Sequence, residues 1–264
     1  MSEQQNWELA QLDGLFLHPT LQCLTIVNAR MASFTSFDSS RERSTGLREL
    51  TLITCDIRPD QLHQILSLAK ALERFTTKGS AWQGRSVSGE DRVANLDSLR
   101  MHISSLLALD LDFFFDVDWP PLQPLTLVEF SVLRQLAIEL WVVRQHIEQG
   151  IVSQKELLPQ GLEELTLKCA GQHVELESYY LDPVYHWLQE GALPNLKRLT
   201  LETTAPVPNV PDTIFQGNQT VRQAFSGCGV EISMMEEAPG GHIPFDCPCC
   251  WYRYRNPGWM PGWF

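Results

Sequence analysis

The stretch Leu47-Arg48-Glu49-Leu50-Thr51-Leu52 decides the fold: one apolar residue opens it, and two more follow in alternation with polar residues. Alternation with a period of two predicts a short strand with Leu50 and Leu52 on one face and Glu49 and Thr51 on the other. The same pattern, Leu-x-x-Leu-x-(Leu/Ile), occurs six times, and a weaker seventh copy lies at Leu72/Phe75/Thr77. The six clear copies begin at Leu21, Leu47, Leu106, Leu133, Leu162 and Leu196.

The spacing of these copies indicates a repeat. The first positions of the seven copies lie 26, 25, 34, 27, 29 and 34 residues apart. A unit of this length cannot bury its apolar face alone and is stabilised by stacking on its neighbours. We therefore expect an α/β fold, a leucine-rich-repeat solenoid of about seven irregular repeats. Its parallel strands should form the concave face and its helices the convex face.

Helices are predicted between the strands. Pro59 at a first helical position opens an amphipathic segment over Pro59–Leu72, and Ser88 with Asp91 resembles a capping box. The pair Asp182-Pro183 opens a further helix, and two more are expected over Leu140–Glu148 and Asp212–Phe225. Val230–Met235 is predicted as a final strand that covers the end of the array.

The distribution of leucine marks a boundary within the chain. All 37 leucines lie at or before Leu201, whereas residues 202–264 hold 8 of the 16 prolines. The predicted organisation is the end of an N-terminal partial repeat over residues 1–20 and a solenoid with its C-terminal cap over residues 21–235. An irregular tail rich in Pro, Cys and aromatic residues is expected over residues 236–264.

The charge balance excludes several classes of partner. With 20 Lys+Arg against 32 Asp+Glu, the formal charge is −12, which disfavours binding to nucleic acid or to an anionic membrane. The first residues lack the features of a signal peptide, and no uncharged apolar run approaches the length of a membrane span. We expect a cytoplasmic or nuclear protein.

Motifs for catalysis are absent from the sequence. There is no Gly-x-Ser-x-Gly elbow, phosphate loop, His-Glu-x-x-His or Gly-x-Gly-x-x-Gly, so we predict neither an enzyme nor a cofactor. Cys247-Pro248-Cys249-Cys250, with His242 and Cys228 nearby, could supply four zinc ligands. Because Cys-x-Cys-Cys differs from the usual Cys-x-x-Cys arrangement, our prediction is no metal. A zinc-binding regulator that uses this tail stays open as an alternative.

Several segments resemble fungal F-box/leucine-rich-repeat proteins: Leu47–Leu52 followed by Cys55, Leu62–Leu68, His18–Thr25 and Leu158–Leu165. The resemblance covers roughly residues 15–202. It implies a non-enzymatic protein-protein interaction module, the substrate-recognition part of an SCF-type ubiquitin ligase. No F-box segment is recognisable here, so the ligase core is an expected partner only if an F-box is present elsewhere. A truncated gene product without independent function is a further alternative.

The resemblance also bears on the turns. Eight residues after each first leucine, related repeats often hold Asn or Cys, which ties successive turns together. In this sequence only Cys55 fits that position. We therefore expect turns held by packing rather than by a ladder of side chains.

The candidate binding site is the concave face, where the residues between the inward leucines should point outward. Its middle is expected to be acidic, with Lys168 and Arg198 toward the C-terminal end, so the predicted partner is a protein with a basic patch. The proposed partner-binding residues are Glu49, Thr51, Asp110, Asp112, Gln135, Glu139, Glu164, Thr166, Lys168, Arg198 and Thr200.

Overall fold

The structure is a computed structural model that describes residues 7–8, 13–31, 39–78, 97–111, 126–140, 157–169, 181–203, 210–215 and 217–236. Its strands are β1 (Trp7–Glu8), β2 (Cys23–Val27), β3 (Ala29–Met31), β4 (Glu49–Ile53), β5 (Asp56–Ile57), β6 (Arg74–Lys78), β7 (Ala108–Asp110), β8 (Gln135–Glu139), β9 (Glu164–Cys169), β10 (Arg198–Thr203) and β11 (Glu231–Glu236). Its helices are α1 (Asp13–Phe16), α2 (Pro59–Leu68), α3 (Asp182–Gln189) and α4 (Val221–Gly227).

Eight strands form one open, parallel sheet in the order β2-β4-β6-β7-β8-β9-β10-β11. Each strand pairs with the preceding and following main-sheet strand along the chain, which is the order expected when one unit is stacked on the next. The weaker copy of the motif forms β6 and pairs in register with β4. The fold is thus α/β with an open parallel sheet, an arrangement compatible with a solenoid.

A second, three-stranded parallel sheet has the order β1-β3-β5. Its strands β3 and β5 each follow a main-sheet strand after a sharp turn, at Asn28 with φ of 54° and Thr54 with φ of 49°. Asn28 N donates to Ile53 O at 2.8 Å, and Thr54 N donates to Lys78 O at 2.7 Å. Each turn is therefore bonded to the end of the next main-sheet strand.

Side chains also connect these turns, which corrects the expectation that packing alone would hold them. Thr54 Oγ1 donates to Asn28 Oδ1 of the preceding turn. The buried Cys55 thiol donates to Ile26 O at 3.4 Å. A short side-chain ladder therefore joins the first two turns, because the two left-handed residues present their side chains to each other.

The inward face of the main sheet carries the core. A continuous row of apolar side chains crosses all eight strands in register, and it is followed by a second row that contains Ile26, Leu52 and Leu167. From β4 to β11 every residue of the first row is at most 2 % exposed. That row comprises Leu24, Leu50, Phe75, Leu109, Leu136, Leu165, Leu199 and Ile232.

Helix α2 packs its predicted face into this core, since Leu62, Ile65 and Leu66 are fully buried. The helix ends at Leu68 rather than at Leu72. Helix α3 begins at Asp182 as expected, buries Val184 and Trp187, and is followed by Gly191 with φ of 70°. No helix among the described residues is both long and apolar enough to cross a bilayer.

The single helix predicted over Asp212–Phe225 is wrong. The structure has a 3-10 turn at Val210–Asp212 and a separate α4. Gly217 adopts φ of 65° between them, and Thr220 accepts a hydrogen bond from Gln223 N as the N-cap of α4. Ser88, Asp91 and nearly all of the predicted helix over Leu140–Glu148 lie outside the described residues.

His102 joins two repeats from inside the core. Its Nε2 lies 3.0 Å from Leu66 O, and its Nδ1 accepts a hydrogen bond from Leu72 N at 3.4 Å. A ring that donates at Nε2 and accepts at Nδ1 is the neutral tautomer. Burial lowers the pKa of His102, and the Arg43 charge lowers it further against the opposing effect of the Leu66 carbonyl.

We expect the His102 contribution to stability to be lost in acid. Because the folded pKa lies below the unfolded value near 6.5, the unfolded chain binds the proton first, and stability falls as pH drops below about 6.5. The loss is complete once pH is below the folded pKa, with a slope of at most ~1.4 kcal/mol per pH unit. Urea unfolding of the His102→Gln variant between pH 5 and 7.5 should show a shallower pH dependence than the natural chain. Equal slopes for His102→Gln and the natural chain would contradict the assignment.

Candidate functional site

The outward face of the main sheet is the candidate binding surface, and the register arranges its side chains in rows. The first outward row is Cys23, Glu49, Arg74, Ala108, Gln135, Glu164, Arg198 and Glu231. The second outward row is Thr25, Thr51, Thr76, Asp110, Ala137, Thr166, Thr200 and Ser233. None of these 16 residues is buried. These two rows are therefore largely polar and accessible along the whole sheet.

Charged and amide side chains of the first outward row are bonded to one another. Arg74 Nε lies 3.5 Å from Glu49 Oε1, and Arg74 Nη1 donates to Gln135 Oε1 at 3.3 Å. Arg74 spans β7 to reach β8, because Ala108 between them has only a methyl side chain. Gln135 Nε2 in turn donates to Glu164 Oε2 at 3.2 Å.

The row continues from Glu164 to Arg198, whose Nη2 pairs with Glu164 Oε1. Both predicted carboxylates of this row thus have an arginine partner within the same row. The side chains stay partly exposed, at 47 % for Glu49 and 32 % for Glu164. The row consequently alternates in charge, whereas we expected the middle of the face to be acidic.

A second cation spans a strand between the outward rows. Lys168 Nζ of β9 lies 2.5 Å from Asp110 Oδ1 of β7, and Ala137 of β8 lies between the two strands. Lys168 is 6 % exposed, and its register partner Glu139 is 5 % exposed. These two residues belong to a third outward row. Their burial differs from the open position that we expected for both.

The remaining predicted residues lie on the face as follows. Thr51, Thr166 and Thr200 stand in the second outward row, each two residues after a charged residue of the first outward row. Thr200 Oγ1 lies 3.3 Å from Ser233 Oγ. Asp112 lies outside the described residues. The register therefore places ten of the eleven predicted residues on one side of the sheet.

Sequence reasoning missed a second line of ion pairs, at the points where the strands begin. Arg48 Nη1 pairs with Glu73 Oε1 at 2.9 Å, and Lys197 Nζ pairs with Glu163 Oε2 at 2.6 Å. The hydrogen bond and charge of Lys197 lower the pKa of Glu163. Arg134 lies 3.7 Å from the same carboxyl group. The signal was present in the sequence as a charged residue directly after five of the seven first leucines.

The pKa of Cys23, the first residue of the first outward row, is raised. Removal from water, reinforced by the Glu49 carboxylate, raises the pKa of the exposed Cys23 thiol. At neutral pH this residue is therefore a thiol, a weak nucleophile and a poor metal ligand.

The described residues contain no candidate metal site, because no three of their His, Cys, Asp or Glu side chains lie close enough together to hold an ion. The candidate zinc ligands Cys247, Cys249 and Cys250 lie outside the described residues.

Comparison of the chain with protein-family models, with curated proteins and with solved structures found no match.

Proposed function

We propose that the chain is a leucine-rich-repeat solenoid and a non-enzymatic protein-protein interaction module, which binds its partner on the outward face of the main sheet. The observation that carries this proposal is the shared register of eight strands, which leaves two accessible polar rows side by side. With strands about 4.8 Å apart and residues about 3.3 Å apart, five-residue strands give a face of about 34 by 16 Å. That size suits a folded domain or an extended peptide better than a small molecule.

A partner with a basic patch fits the carboxylates of this face. Glu49 and Glu164 are held in place by Arg74 and Arg198, yet each keeps a substantial exposed fraction. A carboxylate that is already positioned loses less conformational entropy when a partner binds. An incoming Lys or Arg can therefore share each carboxylate while the internal pair stays in place.

The resemblance to fungal F-box/leucine-rich-repeat proteins supports a finer proposal. In that class the solenoid selects the substrate, and a separate F-box segment connects it to the ubiquitin ligase core. We propose that this solenoid recognises a substrate for such a ligase in the cytoplasm or nucleus, and that the F-box is supplied elsewhere. The main-sheet face would then determine which protein is modified.

Site-specific cross-linking tests where the partner binds. A photoreactive amino acid at Thr166 should cross-link one protein in cells, while the same group at Glu190, exposed near the end of α3, should not. The cross-linked protein is then purified and titrated against the chain. The paired variant Glu49→Gln/Glu164→Gln should weaken binding at least tenfold, about 1.4 kcal/mol. Added salt should also weaken binding.

Glu190→Gln serves as the matched control and should leave the affinity unchanged. Equal cross-linking from Thr166 and Glu190, or equal affinity of the paired variant and the natural chain, would overturn the binding proposal. The ligase proposal has a separate readout. Addition of the ligase core with an F-box protein should increase ubiquitin transfer to the purified partner, and transfer that is independent of this chain would refute that step.

A further inference from the structure

The accessible part of the outward face narrows at its middle. Lys168 and Glu139 of the third outward row are 6 % and 5 % exposed, so a partner cannot make extensive contact with them. The first and second outward rows hold no buried residue on any strand. The surface open to a partner across β8 and β9 is therefore a strip two rows wide.

A strip of this width is small for a folded partner. Two rows of alternate residues occupy about 13 Å along the strands, and eight strands about 4.8 Å apart extend the strip to about 34 Å. The resulting area of about 440 Å² is roughly half of the ~800 Å² that each partner contributes to a standard protein interface. A single extended segment of about 10 residues spans the same length. The dimensions of the strip therefore favour an extended segment over a folded domain.

Hydrogen bonds and ion pairs connect the first outward row from β4 to β10. Arg74 contacts Glu49 on one side and Gln135 on the other. Glu164 accepts a hydrogen bond from Gln135 and pairs with Arg198. Glu49 and Glu164 are the carboxylates of this row between β4 and β10, and their side chains are 47 % and 32 % exposed. The strip thus presents two positioned and accessible carboxylates.

The register of the sheet sets the distance between these two carboxylates. Glu49 on β4 and Glu164 on β9 are separated by four strand spacings, about 19 Å. An extended segment that crosses the strands covers about 20 Å in six residues, and residues an even number apart point the same way. On a helix, residues that share a face near this distance are 11 or 14 apart, at about 16.5 or 21 Å. The extended geometry therefore matches the two carboxylates more closely.

We propose that the outward face binds one extended segment of another protein, which crosses the strands and carries Lys or Arg at two positions six residues apart. This inference rests on the proposed function and specifies its partner. One cation contacts Glu49, and the other contacts Glu164. Between them, two residues of the segment point toward Arg74, Ala108 and Gln135, where this row holds no carboxylate, so neither needs to be basic.

Phage display of random sixteen-residue peptides, selected on the full chain, tests the spacing. Enriched peptides should hold Lys or Arg at two positions six residues apart. Selection on the variant Glu49→Gln/Glu164→Gln should not enrich this pair, because both carboxylates that it contacts are then neutral. Selection on the control variant Glu190→Gln, changed at an exposed residue outside the main sheet, should enrich the pair as the natural chain does.

An enriched peptide is then titrated against the natural chain by fluorescence anisotropy. Replacement of either cation by Gln should weaken binding about fivefold, the effect of losing one exposed ion pair. Insertion of one Gly between the cations should weaken binding equally, because the second cation then points away from the sheet at unchanged net charge. The losses from Glu49→Gln and from removal of the cation that contacts it should not add.

Equal affinity of the peptides with and without the inserted Gly would overturn the inference. Enrichment of no basic pair, or of cations 11 or 14 residues apart as on a helix, would also overturn it. The changes made in the peptide require no variant of the chain, so the test holds if a variant does not fold. If Thr166 cross-links a partner that Glu190 does not, and the six-residue spacing is absent, the inference fails while the proposed function stands. Equal cross-linking from both positions would instead refute the proposed function.

Discussion

Leu136→Ala should lower the free energy of unfolding by about 3–4 kcal/mol, a large fraction of the stability of a typical domain. Leu136 is 2 % exposed and lies in register between Leu109 and Leu165, so the shortened side chain leaves a cavity on both sides. Each unit is stabilised through its two neighbours, and a defect in the middle of the array weakens both interfaces. Urea unfolding followed by far-UV circular dichroism measures the effect.

Leu24→Ala is the matched control, since it removes the same atoms from the same row at the half-buried end. Its expected cost is about 1 kcal/mol, because less apolar area leaves the core. Equal costs at the two positions would show that the end of the sheet is packed as tightly as its middle.

The second large effect is expected at Lys168. The Lys168→Met variant keeps a similar volume but leaves the Asp110 carboxylate without its partner and Glu139 beside an apolar side chain. Removal of one member of a buried pair costs about 3–5 kcal/mol. Because Asp110 is 27 % exposed, solvent screens part of this, and we expect a loss of about 2–3 kcal/mol in urea unfolding.

A double-mutant cycle separates the ion pair from the general effect of substitution. Lys168→Met with Asp110→Asn should recover part of the stability that Lys168→Met loses, because the unpaired charge is then removed. Lys78→Met, an exposed lysine at the end of β6, should change stability by no more than about 0.5 kcal/mol. Additive losses in the double variant would show that Lys168 and Asp110 do not interact.

The main sheet could be predicted from the sequence because the pattern that specifies each strand lies within a few consecutive residues. Alternation within Leu50-Thr51-Leu52 sets which side chains face inward, and the repeated spacing sets which strands are neighbours. The same local logic predicted the buried face of α2. It failed over Asp212–Phe225, where one helix was predicted but Gly217, in a left-handed turn, separates two elements.

Features of the candidate site that depend on two repeats at once could not be predicted. Lys168 reaches Asp110 because the residue between them, Ala137, is small, a condition that involves three strands and no shared motif. The burial of Glu139 likewise depends on surroundings beyond its own strand. Periodicity specifies the side of a sheet to which a side chain points, and it carries no information on the length of the neighbours or on what covers them.

The half-buried Leu24 has a consequence for motion. A stack whose units hold only their neighbours opens from its least protected end, and the two ends of this sheet are unequally protected. Among the described residues, β2 and β11 each have one main-sheet neighbour, but the edge of β11 is also held by Arg222, which donates to Ile232 O. Fraying should therefore begin at β2 and progress toward β11. The unfolding of the array then has a direction, from its first repeat to its last.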